Sequence, residues 1–155
     1  MKINLTERSE FKLCGYSVET NPENNDKDIS ALLHDYFHQG KAELIEQIAK
    51  NKGEEYYGLS WYTQAHERYC YLFGKEVDDP EELPHGAQLK RIPKTQYAFE
   101  AFEAGSDIIR AWSDFFYKDI PESGYEPNYE HGLWFEYYPE GINGKYELWS
   151  PVVKC

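Results

Sequence analysis

Apolar positions along the chain recur with two periods, and each change of period marks an element boundary. Residues 10–20, EFKLCGYSVET, gather β-formers around Gly15 and run into the turn-rich NPENND, which predicts a strand. Ile29, Leu32, Leu33, Tyr36 and Phe37 then form one helical stripe behind a capping Asp28, and Gly40 ends that helix. A second helical piece, KAELIEQIAK, carries Leu44, Ile45 and Ile48 and ends near Gly53. EYYGLSWY and RYCYLFGKEV read as paired strands joined by Thr63 to Glu67, with His66 in the turn. The first half is β, α, β, β.

The connection DDPEELPHG, Asp78 to Gly86, is the polar, proline-bearing midpoint. Beyond it RIPKTQYAFEAFEAG predicts one long strand. Ser106 is placed to cap a helix striped by Ile108, Ile109, Trp112, Phe115 and Phe116, with Asp107 favouring the dipole, and the helix is expected to stop before Pro121. A loop, PESGYEPNYE, leads into HGLWFEYYPEGINGKYELWSP, two aromatic runs about an Asn143-Gly144 turn dipeptide, which reads as a hairpin. The order β, α, β, β thus repeats, over about 9–78 and about 87–153 of a single domain spanning 1–155. The fold class expected is α+β: duplicated βαββ units forming one antiparallel sheet, two main helices on one face, and a ligand cleft on the other.

The last hairpin carries the candidate chemistry. An even-length loop gives odd-sum pairing, which places Trp134, Glu136 and Tyr138 on one face with Glu147 and Trp149. The other face then carries Leu133, Phe135 and Tyr137 beside Tyr146, Leu148 and Val152. With Tyr138 opposite Lys145, Glu136 faces Glu147 at roughly 5 Å between Cβ atoms. One pKa of such a pair is raised, leaving one acid and one base at neutral pH. A tight two-residue turn at Asn143-Gly144 keeps both acids on that face but no longer opposite, and a solvated sheet face is the competing reading. Tyr57 and Tyr71 on the first strand pair, and Tyr16 and Tyr97 on the first strand of each repeat, are pocket candidates because strand parity does not distinguish the faces. Tyr125, between Gly124 and Pro127, is a candidate lid. Phe37, Trp112, Phe115 and Phe116 are assigned to the core.

Composition narrows the ligand. Net charge is −12 over 155 residues, which repels phosphate backbones and excludes direct nucleic-acid binding while favouring cationic or neutral ligands. Fourteen Tyr and four Trp supply surfaces that are apolar in body and polar at the edge, as pockets use. Cys14, Cys70 and Cys155 form no C-x-x-C and fit a reduced, cytoplasmic setting; with no apolar leader or span, no membrane association is expected. His34 and His38 lie four apart without a zincin glutamate or third ligand, and no phosphate loop or nucleophile elbow is present, so neither metal nor cofactor is expected. His85 and His131 fall at turns, and Cys14 and Cys70 read as strand-borne hydrophobes.

The segments FKLCGYSVET, YLFGKEV, LKRIPKTQYAFEAFEAG, WSDFFYKDIPESGYEP, LWFEYYP and YELWSPV resemble, in order and spacing, the GyrI-like (gyrase-inhibitor-like) or AraC-type effector-binding domain family, as a standalone member. The resemblance implies the duplicated βαββ, SHS2-type fold and a cleft for amphipathic, often cationic small molecules. It implies ligand contact by Glu136 in LWFEYYP and by Glu147 and Trp149 in YELWSPV. It further implies a role in transcription regulation or xenobiotic resistance, multidrug binding, and a regulator or topoisomerase as protein partner. No helix-turn-helix fits before Phe11, so a regulator would be a separate chain. Some standalone relatives hydrolyse strained cyclopropyl compounds, and the choice between binder and hydrolase stays open at this point.

Overall fold

The computed structural model describes residues 2–64 and 67–155, so His66 and Ala65 of the first strand connection lie outside the described residues. Among the described residues there are nine strands: β1 Asn4–Arg8, β2 Phe11–Thr20, β3 Tyr56–Gln64, β4 Arg68–Val77, β5 Gln88–Ile92, β6 Thr95–Phe102, β7 Tyr125–Pro127, β8 Trp134–Tyr138 and β9 Tyr146–Lys154. The helices are α1 Asn25–His38, α2 Lys41–Ile48 and α3 Ile108–Asp114, the last continued by a π-helical turn, Phe115–Asp119, and a short α4, Ile120–Glu122. Eight strands run in the order β1-β6-β9-β8-β3-β4-β2-β5, all paired antiparallel, and β7 adds to β9. The order is mirrored about the β3–β8 pair, as a duplicated βαββ unit requires, and the α+β class is as expected.

Several boundaries differ from the sequence expectation, each for a local reason. The predicted long strand after the midpoint is two strands, β5 and β6, broken at Pro93. β1 arises from a segment for which no element was predicted, and β7 from the segment read as a loop. Helix α1 starts before Asp28, whose carboxylate instead accepts from Thr20 Oγ1 at 2.8 Å. Asp107 rather than Ser106 caps α3, accepting from the Ile109 and Arg110 N–H groups. The helical path also continues past Pro121. In the π-helical turn Ile120 N–H donates to Phe115 O, five residues back, and Pro121 then falls in the first turn of α4, where a missing N–H costs no bond.

Two chain crossings impose the sheet's curvature. Only Ser9 and Glu10 join β1 to β2, yet these strands stand six positions apart, roughly 29 Å in a flat sheet. Pro93 and Lys94 join β5 to β6 across the same six positions. A two-residue link reaches about 11 Å at most, so the two ends of the sheet must curl toward each other. Rings three strands apart meet as a result: Phe11 and Phe135 have centroids 5.4 Å apart. The paired glycines Gly15 and Gly74 permit the closest approach, since a Cβ on Gly15 would lie 2.1 Å from Phe73 O.

The curled-in, helix-free face is filled by its own side chains: Leu13, Leu59, Leu72, Ile92, Tyr97 and Phe135 are all fully buried there. Arg8 closes it. Its guanidinium lies 3.7 Å over the Phe11 ring, donates to Tyr57 Oη at 3.1 Å, and sits 3.6 Å from Glu76. The other face carries the helices over Cys14, Tyr36, Phe73, Phe115 and Leu148. No helix among the described residues is long and apolar enough to cross a membrane. Arg8→Ala removes a side chain that ties β1 to β2, β3 and β4, and we expect it to lower unfolding free energy by about 2 kcal/mol in a urea titration, with Arg8→Lys recovering only part because an ammonium does not stack.

Candidate ligand-binding site

The β8–β9 register decides which side chains meet. Phe135 pairs with Trp149, Glu136 with Leu148 and Tyr137 with Glu147, an even-sum register. Seven residues, 139–145, connect the strands, so the odd loop length reverses the expected parity. The chain turns at Gly141–Gly144, where Gly144 N–H donates to Gly141 O, and not in a two-residue Asn143-Gly144 hairpin. Glu136 and Glu147 therefore lie on opposite faces of the sheet. The coupled acid–base pair does not form, and the two-carboxylate scheme for ring hydrolysis loses its geometry.

Glu136, Trp134, Tyr138 and Tyr71 assemble on the helix-bearing face, not on the face expected to hold a cleft. Glu147, Trp149, Tyr57 and Tyr97 belong to the filled face. There Trp149 stacks on Phe99 at 4.3 Å and donates from Nε1 to Glu147, while Tyr57 and Tyr97 are buried in the core. Tyr16 packs edge-on against Tyr36 of α1, and Tyr125 is not a free lid but a residue of β7, paired with Lys154.

Glu136 is the centre of the assembled group. Its carboxylate accepts from Tyr71 Oη at 2.9 Å and Tyr138 Oη at 2.7 Å through Oε1, and from Trp112 Nε1 at 2.9 Å through Oε2. Burial raises its pKa above the ordinary carboxylate range, against the opposing pull of these three donors. Burial and the neighbouring carboxylate push the Tyr71 and Tyr138 hydroxyls far up, so both keep their protons and donate. No Lys or Arg forms an ion pair with Glu136 among the described residues. Gly58 sits directly across from Glu136, and a Cβ there would lie 2.1 Å from Tyr71 Oη and 2.9 Å from Glu136 Oε1. The space occupied by the hydroxyl and the carboxylate is the space glycine leaves.

An aromatic wall extends from this point to solvent. Trp134, anchored by its Nε1 donating to Ser150 Oγ at 3.0 Å, meets Tyr62, Phe116 and Tyr129 at ring separations of 5.5, 6.2 and 5.7 Å. Tyr62 and Tyr129 are exposed at the outer end, and Tyr117 beyond Phe116 is 76% exposed. Sequence reasoning assigned Trp112 and Phe116 to the core and passed over Gly58, Tyr62 and Tyr129. The usable signal for Trp112 was its indole N–H, which needs an acceptor when the ring packs onto a sheet.

A mirrored antiparallel sheet with its helices on one face, and a buried carboxylate beneath one of them beside a cluster of aromatic rings, are the architecture of a GyrI-like effector-binding domain. Residues 4–152 match the Cass2 family, described as integron-associated effector binding protein, and the chain belongs to that family. A DNA gyrase inhibitor of Serratia proteamaculans (strain 568) is 36% identical over 59 residues, which cover 35% of this chain and only 38% of that relative's length. Among solved structures, SAV2435 bound to tetraphenylphosphonium superposes with a TM-score of 0.79 at 14% identity, covering 99% of this chain and 94% of that one. An integron cassette protein from the mobile metagenome of Vibrio cholerae gives 0.69 at 15% identity, covering 98% and 96%. At these identities the likeness is one of fold.

Two substitutions test the site's construction. Tyr71→Phe removes a donor to the ionised form, so Glu136 should hold its proton to higher pH, read as the midpoint of its carboxyl infrared band. Gly58→Ala should cost about 1–3 kcal/mol in chemical unfolding by driving a methyl into the Tyr71 hydroxyl.

Proposed function

We propose that this protein binds an amphipathic small molecule bearing a delocalised or tertiary cation, with the charge held at Glu136. One observation carries the reading: a buried carboxylate whose three partners are all neutral donors, so its charge is desolvated but not neutralised. A lipophilic cation supplies the missing charge at little desolvation cost, and the faces of Trp112, Trp134, Phe116 and the outer tyrosines add cation–π and apolar contact. Trp112 is the donor able to yield, because it is half-buried on a short helix while Tyr71 and Tyr138 stand on central strands. The fold shared with SAV2435, solved with tetraphenylphosphonium, supports this ligand class. The cellular role that follows is an effector-binding component of transcription regulation or xenobiotic resistance. It acts through a protein partner such as a regulator or a topoisomerase, since a net charge of −12 disfavours nucleic acid.

Titration with tetraphenylphosphonium, followed by tryptophan fluorescence, should show saturable quenching. Glu136→Gln should weaken binding by about tenfold or more, equivalent to about 1.4 kcal/mol, while Glu147→Gln, on the opposite face, leaves it unchanged. Equal affinity in the wild type and Glu136→Gln would overturn the assignment.

A further inference from the structure

Ser60 stands on β3 two residues beyond Gly58, on the same helix-bearing face as Glu136. Its cross-strand neighbours there are Tyr71 on β4 and Trp134 on β8. Tyr62 follows it along β3 and pairs with Tyr69, so a short side chain is bordered by four long aromatic ones. A serine in the middle of the sheet would be fully covered if those rings closed over it. They do not close. Tyr71 and Trp134 are 4% and 5% exposed, yet Ser60 between them is only half-buried. The rings therefore wall a well that reaches down to the sheet, and Ser60 is its floor.

That floor is polar and uncommitted. The Ser60 hydroxyl takes part in no hydrogen bond among the described residues, and its neighbours are engaged elsewhere, Tyr71 Oη with Glu136 and Trp134 Nε1 with Ser150. Glu136 borders the same well, because its carboxylate lies over Gly58, with Oε1 2.9 Å from where a Cβ on that glycine would stand. Two residues along a strand advance about 7 Å, so the hydroxyl stands roughly one such step from the buried charge. Alanine at this position would leave the same room. What serine adds is one donor and two acceptor positions at a fixed distance from Glu136.

We propose that Ser60 is a specificity-determining residue, and that the molecules bound best are lipophilic cations carrying a neutral hydrogen-bonding group, such as a hydroxyl, about 7 Å from the charge. This rests on Glu136 as the partner of the cation and narrows the ligand class that follows from it. Charge and ring faces alone accept any lipophilic cation of suitable size. Ser60 distinguishes among them, because a ligand with a polar atom at the right distance exchanges its water for the hydroxyl, while one without it leaves the hydroxyl unbonded.

The test uses two phosphonium ions that differ by one oxygen atom, (4-hydroxymethylphenyl)triphenylphosphonium and (4-methylphenyl)triphenylphosphonium, titrated by calorimetry into the full chain. In the wild type the hydroxymethyl ion should bind about three- to tenfold tighter than the methyl ion. In Ser60→Ala that preference should vanish while the methyl ion keeps its affinity, a selective loss that altered packing would not produce. Ser60→Gly makes the same deletion with more room and should match it. Equal affinities in the wild type, or a preference that survives in Ser60→Ala or Ser60→Gly, overturns the proposal and leaves the role of Glu136 standing. Binding of neither ion, or of both with undiminished affinity in Glu136→Gln, overturns the Glu136 reading and this proposal with it.

Discussion

Two two-residue links, Ser9-Glu10 and Pro93-Lys94, govern the whole architecture. Each carries the chain from one end of an eight-strand sheet to near the other, and neither is long enough to do so unless the ends curl together. The curl turns the helix-free face inward, where Phe11, Tyr57, Tyr97 and Phe135 fill it and Arg8 spans it. Side chains this large, each contributing about 1.5–3 kcal/mol on burial, pack that face against itself. The buried acid with its three neutral donors stands on the other face, under the helices.

On that face the fold isolates one acid from any cation among the described residues, Glu136, and gives it three neutral donors. Glu136 stands on β8, next to the central β3–β8 pairing, with Gly58 across from it and tyrosines on the neighbouring positions of the same face. Strands supply two of its donors, Tyr71 and Tyr138, and helix α3 the third, Trp112.

Much of this was legible in the sequence because it depends on short-range periodicity. The stripe Leu32/Tyr36, the exact strand RYCYLFGKEV, the glycine and proline punctuation at Gly40 and DDPEELPHG, and the repeated β, α, β, β order all follow from local pattern. The misread strand RIPKTQYAFEAFEAG supplies the end of β5 and the whole of β6 before it turns at Ala104–Gly105; what pattern did not reveal is that the chain changes sheet ends at Pro93. Trp112 shows the same limit, since a helical stripe identifies a buried ring but not the acceptor that its N–H finds.

The chain by itself determined most of the elements, the duplication and the acidic aromatic character. Tertiary structure alone decided which residues share a face with Glu136. Side chains alternate with a period of two along a strand, so a single residue of loop length, seven in place of an even count between Tyr138 and Tyr146, moves Glu147 and Trp149 to the opposite side. The hydrophobic pattern did not resolve that choice, because both faces of this hairpin are buried and aromatic. The partners that closed the site, Tyr71, Gly58 and Trp112, lie 24 to 78 residues from Glu136 and were brought there by sheet order and curl.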